Sequence, residues 1–96
     1  MKLSLKKFGL VLTSRQDGRE SLLAVQPILK KLSKKDVLII DFKDSGSLSP
    51  SWADEFFTPL LKKYKENLIL KNVNNLSAKM TLSFLEKINN IKFNIK

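Results

Sequence analysis

Runs of hydrophobic residues predict strands at five places along the chain. Residues 2–6 and 91–96 alternate strictly between apolar and polar side chains, which is the period of a strand with one solvent-exposed face. Residues 37–42 have apolar side chains at both odd and even positions, as in a strand that is covered on both faces or lies centrally in a sheet. Residues 10–13 and 67–73 are further apolar runs that we also interpret as strands.

Apolar residues at helical spacing predict three helices between these strands. The first two span residues 18–33 and 52–65, and the third runs from a cap at Asn74 or Asn75 through Asn89. The residues expected to face inward are Leu22, Val25, Ile28, Leu29 and Leu32 in the first helix, Ala53, Phe56, Phe57, Leu60, Leu61 and Tyr64 in the second, and Met80, Phe84, Leu85 and Ile88 in the third.

Two kinds of residue interrupt this helical pattern. The polar residues 14–19 contain Asp17-Gly18, so we expect a turn there before the first helix begins. Pro27 and Pro59 lie inside predicted helices, where a proline removes a backbone hydrogen bond and bends the helix. Each proline therefore marks either a kink or a misplaced boundary.

The predicted elements follow the order β-β-α-β-α-β-α-β along residues 1–96. Helices between successive strands imply right-handed crossovers and parallel strand pairs. The strictly alternating segments are the first and the last, which suggests a mixed sheet whose terminal strands lie at more exposed positions. We therefore predict a single α/β domain in which one mixed sheet packs with about three helices.

The amino-acid composition excludes most kinds of catalysis. The chain has 96 residues and contains neither cysteine nor histidine. It therefore has no thiolate or imidazole for metal binding, no cysteine nucleophile and no triad with an imidazole base. The sequence implies no catalytic residue, no metal and no cofactor, and we predict that the protein is not an enzyme.

The chain is strongly basic, with 18 lysines and arginines against nine acidic residues and a net charge of +9. Only Arg15 and Arg19 are arginines, although arginine is the residue that usually makes bidentate contacts with phosphate and guanine. The lysines are spread along the chain, so we favour a solvated surface over a nucleic-acid interface. Weak nonspecific binding to polyanions remains an expectation for such a charge.

No hydrophobic run approaches the ~20 residues of a transmembrane helix. The N-terminal residues 1–8 carry lysines within their apolar stretch and lack a cleavage site with small residues, so they do not resemble a signal peptide. We therefore expect a cytoplasmic protein without membrane contact.

The loop at residues 43–50 and the helix after it form the most distinctive segment. Functional sites in parallel α/β sheets lie outside the carboxyl ends of the strands, where loops lead into helix N-termini. The residues expected to meet there, and to bind a protein partner or an anion, are Arg15, Asp41, Ser49, Ser51, Trp52, Asp54 and Glu55.

The same segments resemble a known family. Residues 12–15 (Leu-Thr-Ser-Arg), 37–42 (Val-Leu-Ile-Ile-Asp-Phe) and 49–57 (Ser-Pro-Ser-Trp-Ala-Asp-Glu-Phe-Phe), with the strand that leads to Asn72, are similar to the STAS-like domain family of unknown function found in prokaryotes. The resemblance covers about residues 8–90. Its most specific part is the Ser-Pro-Ser-Trp-Ala-Asp-Glu sequence after Ile-Asp-Phe.

That family is similar to the STAS domains of anti-sigma factor antagonists, which bind an ATPase-like kinase and are switched by phosphorylation at the start of this helix. The resemblance implies Ser51, or else Ser49, as the phosphate acceptor. The chain departs from the Asp-Ser-Ser-Gly pattern of those domains, because Trp52 stands in place of the glycine and the acidic pair Asp54-Glu55 follows.

Each of these residues also has a purely structural interpretation. Ser51 and Asp54 have the spacing of a capping box, in which Ser51 would cap the second helix. Asp41 is suited to bonding loop amides or pairing with Arg15, and both arginines are suited to salt bridges with Asp41, Asp54 or Glu55. Trp52 is expected in the core, although an exposed contact is the alternative.

Three functions follow from these observations. The first is a non-enzymatic signalling module that binds a protein partner, such as an ATPase-like kinase, through residues 44–56. The second is a basic nucleic-acid-binding domain, and the third is a small anion or nucleotide binder at the N-terminus of the second helix.

Overall fold

The protein, described here from a computed structural model covering residues 1–96, contains three α-helices and six short strands. The strands are β1 (Lys2–Ser4), β2 (Val11–Leu12), β3 (Leu38–Asp41), β4 (Ser47–Leu48), β5 (Leu68–Lys71) and β6 (Asn94–Ile95). The helices are α1 (Arg15–Leu29), α2 (Pro50–Tyr64) and α3 (Leu76–Asn89), and short 3-10 turns occupy Leu5–Phe8 and Lys65–Asn67. None of the helices has the length and apolar character needed to cross a bilayer.

The main sheet has four strands in the order β1-β3-β5-β6, and every neighbouring pair is parallel. The α/β class and the edge positions of the terminal strands are as predicted, but the sheet is parallel throughout rather than mixed. The mixed arrangement was inferred from alternation at both ends of the chain, and alternation marks an edge position without fixing strand direction.

The strand order places the helices in one layer. The strands follow one another across the sheet in chain order, so right-handed crossovers put α1, α2 and α3 on the same face. Side chains on that face, such as Leu38 and Leu68, are fully buried, whereas Ile39 and Ile69 on the opposite face are half-buried. The sheet therefore has one covered face and one open face.

Two of the strands lie outside the main sheet. β2 and β4 form a separate parallel pair, with Val11 beside Ser47 and Leu12 beside Leu48. β4 was not predicted from the sequence, because a strand of two residues is too short to show a two-residue period. This pair holds the loop after β3 against the segment that leads into α1.

Helix α1 begins at Arg15, so the turn predicted over residues 14–19 is wrong. The Ser14 hydroxyl caps the helix by accepting a hydrogen bond from the Asp17 amide at 2.9 Å. Gly18 lies in the first turns of the helix and is buried. A Cβ atom at Gly18 would lie 2.6 Å from the Trp52 carbonyl oxygen, which shows how closely α1 and α2 approach.

Pro27 and Pro59 both lie inside helices. Pro27 stands in the last turn of α1, which ends at Leu29 instead of the predicted residue 33. Pro59 stands in the middle of α2, which continues to Tyr64. Because Pro59 has no N–H, the carbonyl of Glu55 loses its usual helical partner.

Helix α3 begins after Asn75, whose side chain accepts from the Ala78 amide at 2.7 Å. Its buried residues are Ala78, Thr81, Leu82 and Leu85. The predicted inward positions of Met80, Phe84 and Ile88 are therefore wrong, since these side chains are exposed. The helix has more apolar residues than one buried face requires. The helical spacing of apolar residues therefore predicted the wrong face of α3 to be buried.

The contact at Gly18 gives a test of the helix packing. We expect Gly18→Ala to lower the free energy of unfolding by about 2 kcal/mol, because the new methyl group clashes with backbone atoms of α2. This loss would outweigh the helix propensity of alanine, which favours it over glycine by up to about 1 kcal/mol. Urea unfolding would measure the change. Gln16→Ala, at an exposed position of α1, is the control, and stability that is equal or higher in Gly18→Ala would contradict the close contact.

Candidate functional site at the beginning of helix α2

Ser49 is the residue that caps α2. Its Oγ accepts a hydrogen bond from the Trp52 amide at 3.2 Å and donates one to the Thr13 carbonyl oxygen at 2.7 Å. The next residue, Pro50, occupies the first helical position, where its fixed φ suits a helix and its missing N–H costs nothing. The start of the helix is therefore fixed by Ser49 and Pro50.

The capping box predicted at Ser51 is wrong, because Ser51 lies inside the first turn. Its hydroxyl takes part in none of the bonds that hold the helix start, and the residue is half-buried. The Asp54 side chain accepts a hydrogen bond from Thr58 at 2.9 Å instead of reaching back to the cap. Of the two candidate serines, Ser49 uses its hydroxyl in hydrogen bonds that hold the helix start, whereas the Ser51 hydroxyl makes no such bond.

The two arginines of α1 hold the acidic pair of α2. One nitrogen of Arg15, Nη1, lies 3.1 Å from Asp54 Oδ2 and 3.3 Å from Glu55 Oε1. Nη2 of Arg19 lies 3.3 Å from the same Glu55 oxygen. The structure thus brings Arg15 to Asp54 and Glu55, as the salt-bridge interpretation expected, but not to Asp41.

These contacts shift the ionisation of the groups involved. Burial acts most strongly on Asp54 and would raise its pKa, but hydrogen bonds from Thr58 and Arg15 and the positive charge of Arg15 outweigh it, so the pKa is lowered. The pKa of Arg15 is raised, first by its hydrogen bond to Asp54 and then by that to Glu55. Both sides of the contact are therefore charged at neutral pH.

Asp41 lies apart from this group, at the carboxyl end of β3. Its Oδ1 accepts hydrogen bonds from Asn72 Nδ2 at 2.7 Å and from the Lys43 amide at 3.0 Å, and Lys2 Nζ lies 3.4 Å from its Oδ2. The pKa of Asp41 is lowered, chiefly by Asn72 and then by the Lys43 amide. The loop-amide interpretation of Asp41 therefore describes its contacts, and the pairing with Arg15 does not occur.

Asn72 is the partner of Asp41 that sequence reasoning missed. It follows β5, the strand next to β3, and its φ of 59° lies in the left-handed region that asparagine tolerates. Adjacent parallel strands end at the same edge of the sheet. The sequence signal for this contact was therefore an aspartate at the end of one strand and an asparagine directly after the neighbouring strand.

A cavity of about 530 Å³ opens beside Asp41 at this edge. It is lined by Phe42, Lys43, Asp44, Ser45, Asn72, Asn74 and Asn75. Several of its polar groups are already engaged: Asn72 donates to Asp41, and Asn75 caps α3 with its oxygen and donates through its nitrogen to the carbonyl oxygen of Ser45 at 3.1 Å. No group of three or more acidic side chains is placed to hold a metal ion.

Trp52 is a core residue rather than an exposed contact. Its side chain is fully buried, and its ring stacks on Phe56 with centroids 4.8 Å apart. Phe8 contacts it from the segment before β2, at a centroid distance of 6.0 Å. The indole Nε1 has no hydrogen-bond partner, so the Trp52 side chain stabilises the helix start through packing alone, whereas the Trp52 amide makes the capping bond to Ser49.

A family model described as a STAS-like domain of unknown function matches residues 25–78. The match includes β3, the loop after it, α2 and β5, and hence most of the site described above. No curated protein and no solved structure matches the chain.

The two serines should respond differently to substitution. We expect Ser49→Ala to reduce the free energy of unfolding by about 1–2 kcal/mol, because both the cap and the bond to Thr13 are lost. Ser51→Ala should change it by less than about 0.5 kcal/mol, because no hydrogen bond is removed. Thermal or urea unfolding of the two variants side by side makes the comparison, and equal losses would show that the cap is assigned wrongly.

Asp41 should make stability depend on pH in the acid range. Its folded-state pKa is lowered, so its contribution is complete above the pKa of the unfolded chain, about 3.9, and is lost as pH falls through the lower folded value. At pH 7 we expect Asp41→Asn to be less stable than wild type by about 2 kcal/mol, because a charged acceptor of two hydrogen bonds is replaced. The difference should shrink as the pH falls from about 5 to about 2.

Urea unfolding across this pH range would measure the effect. Asp44→Asn is the matched control, because Asp44 is exposed, has only Lys6 beside it at 3.7 Å, and has a left-handed φ that asparagine also adopts. A gap between wild type and Asp41→Asn that stays constant down to the lowest pH would contradict the assignment.

Proposed function

The chain belongs to the family of STAS-like domains of unknown function, and on that basis we propose that it is a non-enzymatic signalling module. The module binds a protein partner through residues 44–56. It is switched by phosphorylation of Ser51. The proposed partner is an ATPase-like kinase, as for the STAS domains of anti-sigma factor antagonists that this sequence resembles. The observation that carries the proposal is the contrast between the engaged hydroxyl of Ser49 and the uncommitted hydroxyl of Ser51.

The position of Ser51 suits a phosphate. It lies in the first turn of α2, where the helix dipole favours negative charge. Asp54 follows three residues later and is therefore adjacent to Ser51 on the helix surface. Asp54 binds Arg15 at 3.1 Å, and this cation offsets the repulsion that the Asp54 carboxylate would exert on a phosphate at Ser51.

This arrangement also suggests how a phosphate would change the surface. A phosphoserine carries a charge of about −1.5 to −2, more than the carboxylate of Asp54. It would therefore compete with Asp54 for Arg15 and weaken the contact between α1 and α2. Arg15 is half-exposed and so has room to move toward Ser51.

The contacts of the site support binding of a protein over catalysis. The Ser51 hydroxyl has no adjacent base, because the carboxylate of Asp54 is engaged by Thr58 and Arg15. Asp41 has a lowered pKa and accepts hydrogen bonds that fix the loop after β3. A nucleophile, a base and a stabilising group do not meet here.

The same contacts weigh against the two alternative functions. Arg15 and Arg19, the side chains best suited to reading nucleic acid, are held in salt bridges with Asp54 and Glu55. A free anion at the helix start would find few donors. Pro50 has no N–H, the Trp52 amide donates to Ser49 Oγ, and the Ala53 amide donates to the Ser49 carbonyl.

The test is phosphate transfer to the full chain from purified ATPase-like kinases encoded in the same genome, with ATP. We expect at least one kinase to form a complex with the wild type on size-exclusion chromatography and to add one phosphate at Ser51, located by peptide mass spectrometry. Ser51→Ala should still bind the kinase and remain unmodified. Ser21→Ala, which removes a half-buried serine of α1 outside residues 44–56, is the control and should behave as wild type.

Two results would overturn the proposal. One is the absence of a complex with every such kinase. The other is a complex in which the phosphate goes to a serine other than Ser51, or in which Ser51→Ala accepts it as well as the wild type does.

A further inference from the structure

Helix α3 carries a row of large apolar side chains on its outer surface. Leu76, Met80, Phe84 and Ile88 follow one another at intervals of four residues, so they form a single ridge along the helix. Their exposed fractions are 70%, 63%, 48% and 59%. Together these four residues form the α3 ridge.

The ridge is additional to the face that α3 buries. Ala78, Thr81, Leu82 and Leu85 already pack into the core, so the ridge is not needed to hold the helix in place. Scattered exposed apolar residues are common on protein surfaces, but a continuous row of four is a mark of an interaction site.

A concave feature adjoins the middle of the ridge. A cavity of about 370 Å³ lies between Pro50, the first residue of α2, and the ridge residues Met80 and Phe84. Ser77 and Thr81 form the rest of its lining. Such a hollow accepts a protruding side chain, and the flexible Met80 can adapt to its shape.

The polar surroundings of the ridge are basic. Lys79 and Lys87 are exposed and flank it on α3, with Ser83 between them in the same helical row. The one acidic residue of the helix, Glu86, accepts a hydrogen bond from the Phe93 amide at 2.8 Å and is half-buried. The ridge is therefore bordered by positive charge that no neighbouring acid of α3 offsets.

We propose that the α3 ridge docks an amphipathic helix of another protein, whose apolar side chains fill the ridge and its hollow and whose acidic side chains face Lys79 and Lys87. A ridge of residues four apart packs into the grooves of a facing helix. The proposal goes beyond the function proposed above, because it concerns α3 rather than residues 44–56 and does not require phosphorylation.

Charge and shape favour an acidic amphipathic helix on the α3 ridge over a second copy of the chain or a membrane surface. A second copy of the chain, itself carrying +9, offers no free acidic side chain on its own α3 to face Lys79 and Lys87, and an antiparallel pairing would set these lysines against the same lysines. An anionic membrane surface would satisfy the lysines, but it has no side chain to enter the hollow beside Pro50.

The test uses a display library of amphipathic helices with acidic polar faces and a matched library with basic polar faces. Wild-type protein should enrich helices from the acidic library only. The selected peptides should shift the amide NMR signals of residues 76–88 and leave those of α1 unchanged.

Matched variants separate the ridge from general surface effects. Met80→Glu should weaken binding of the selected peptides at least about tenfold, because it places a charge in the apolar contact and repels acidic helices. Leu23→Glu makes the same change on α1 at a residue with the same 63% exposure and should leave binding intact. Lys87→Glu should also weaken binding, with a loss that shrinks in added salt, while Lys31→Glu should not.

Four outcomes would overturn the proposal. They are no enrichment from the acidic library, equal enrichment from both libraries, dimerisation of the wild type that Met80→Glu abolishes, and binding to vesicles of anionic lipid that Met80→Glu abolishes while peptides are not bound. The last two would assign the ridge to a second copy or to a membrane surface.

Discussion

The packing of α1 directly on the backbone of α2 is the constraint from which the rest of the site follows. The approach is possible because Gly18 has no Cβ where the Trp52 carbonyl lies. With the helices this close, Arg15 and Arg19 reach the acidic pair one turn along α2. The Trp52 ring beside this contact is buried against Phe8 and Phe56, so the salt bridges and the aromatic packing lie on the same turns of α2. A larger residue at Gly18 would separate the helices and loosen both features together.

How far the sequence predicts this structure depends on how local each interaction is. The strand at residues 37–42 and the apolar stripe of α2 were predicted, because burial imposes a period that is visible within one segment. Asp17-Gly18 was interpreted as a turn before a helix at residues 18–33, because the reason for a glycine there lies in the backbone of another helix. Asn72 was missed for a similar reason, since its contact with Asp41 joins residues 31 positions apart. The outward position of Met80 could not be predicted, because α3 has more apolar residues than one face can bury.

Several of the acidic side chains are bonded to groups within the protein, which the net charge alone does not reveal. Asp41, Asp54 and Glu55 all bind basic groups or amides within the protein, and Glu86 bonds the Phe93 amide. Most lysines, in contrast, have no acidic partner within 4 Å and remain exposed. Several stand near helix C-termini, as Lys62, Lys63 and Lys87 do, where the helix dipole favours a cation. The exposed surface of the protein therefore carries a large excess of lysine over acidic side chains.

The one-sided layering of the fold explains why two separate surfaces remain available. With all three helices on one face of the sheet, α2 lies between α1 and α3 and is covered on both flanks, so only its outer edge and its first turn are open. Ser51 lies in that first turn. Helix α3 has α2 on one side and no further helix of the chain on the other, so its outer ridge stays uncovered however well the core is packed. Pro50 touches the hollow beside the ridge and is the neighbour of Ser51, which places the two surfaces side by side.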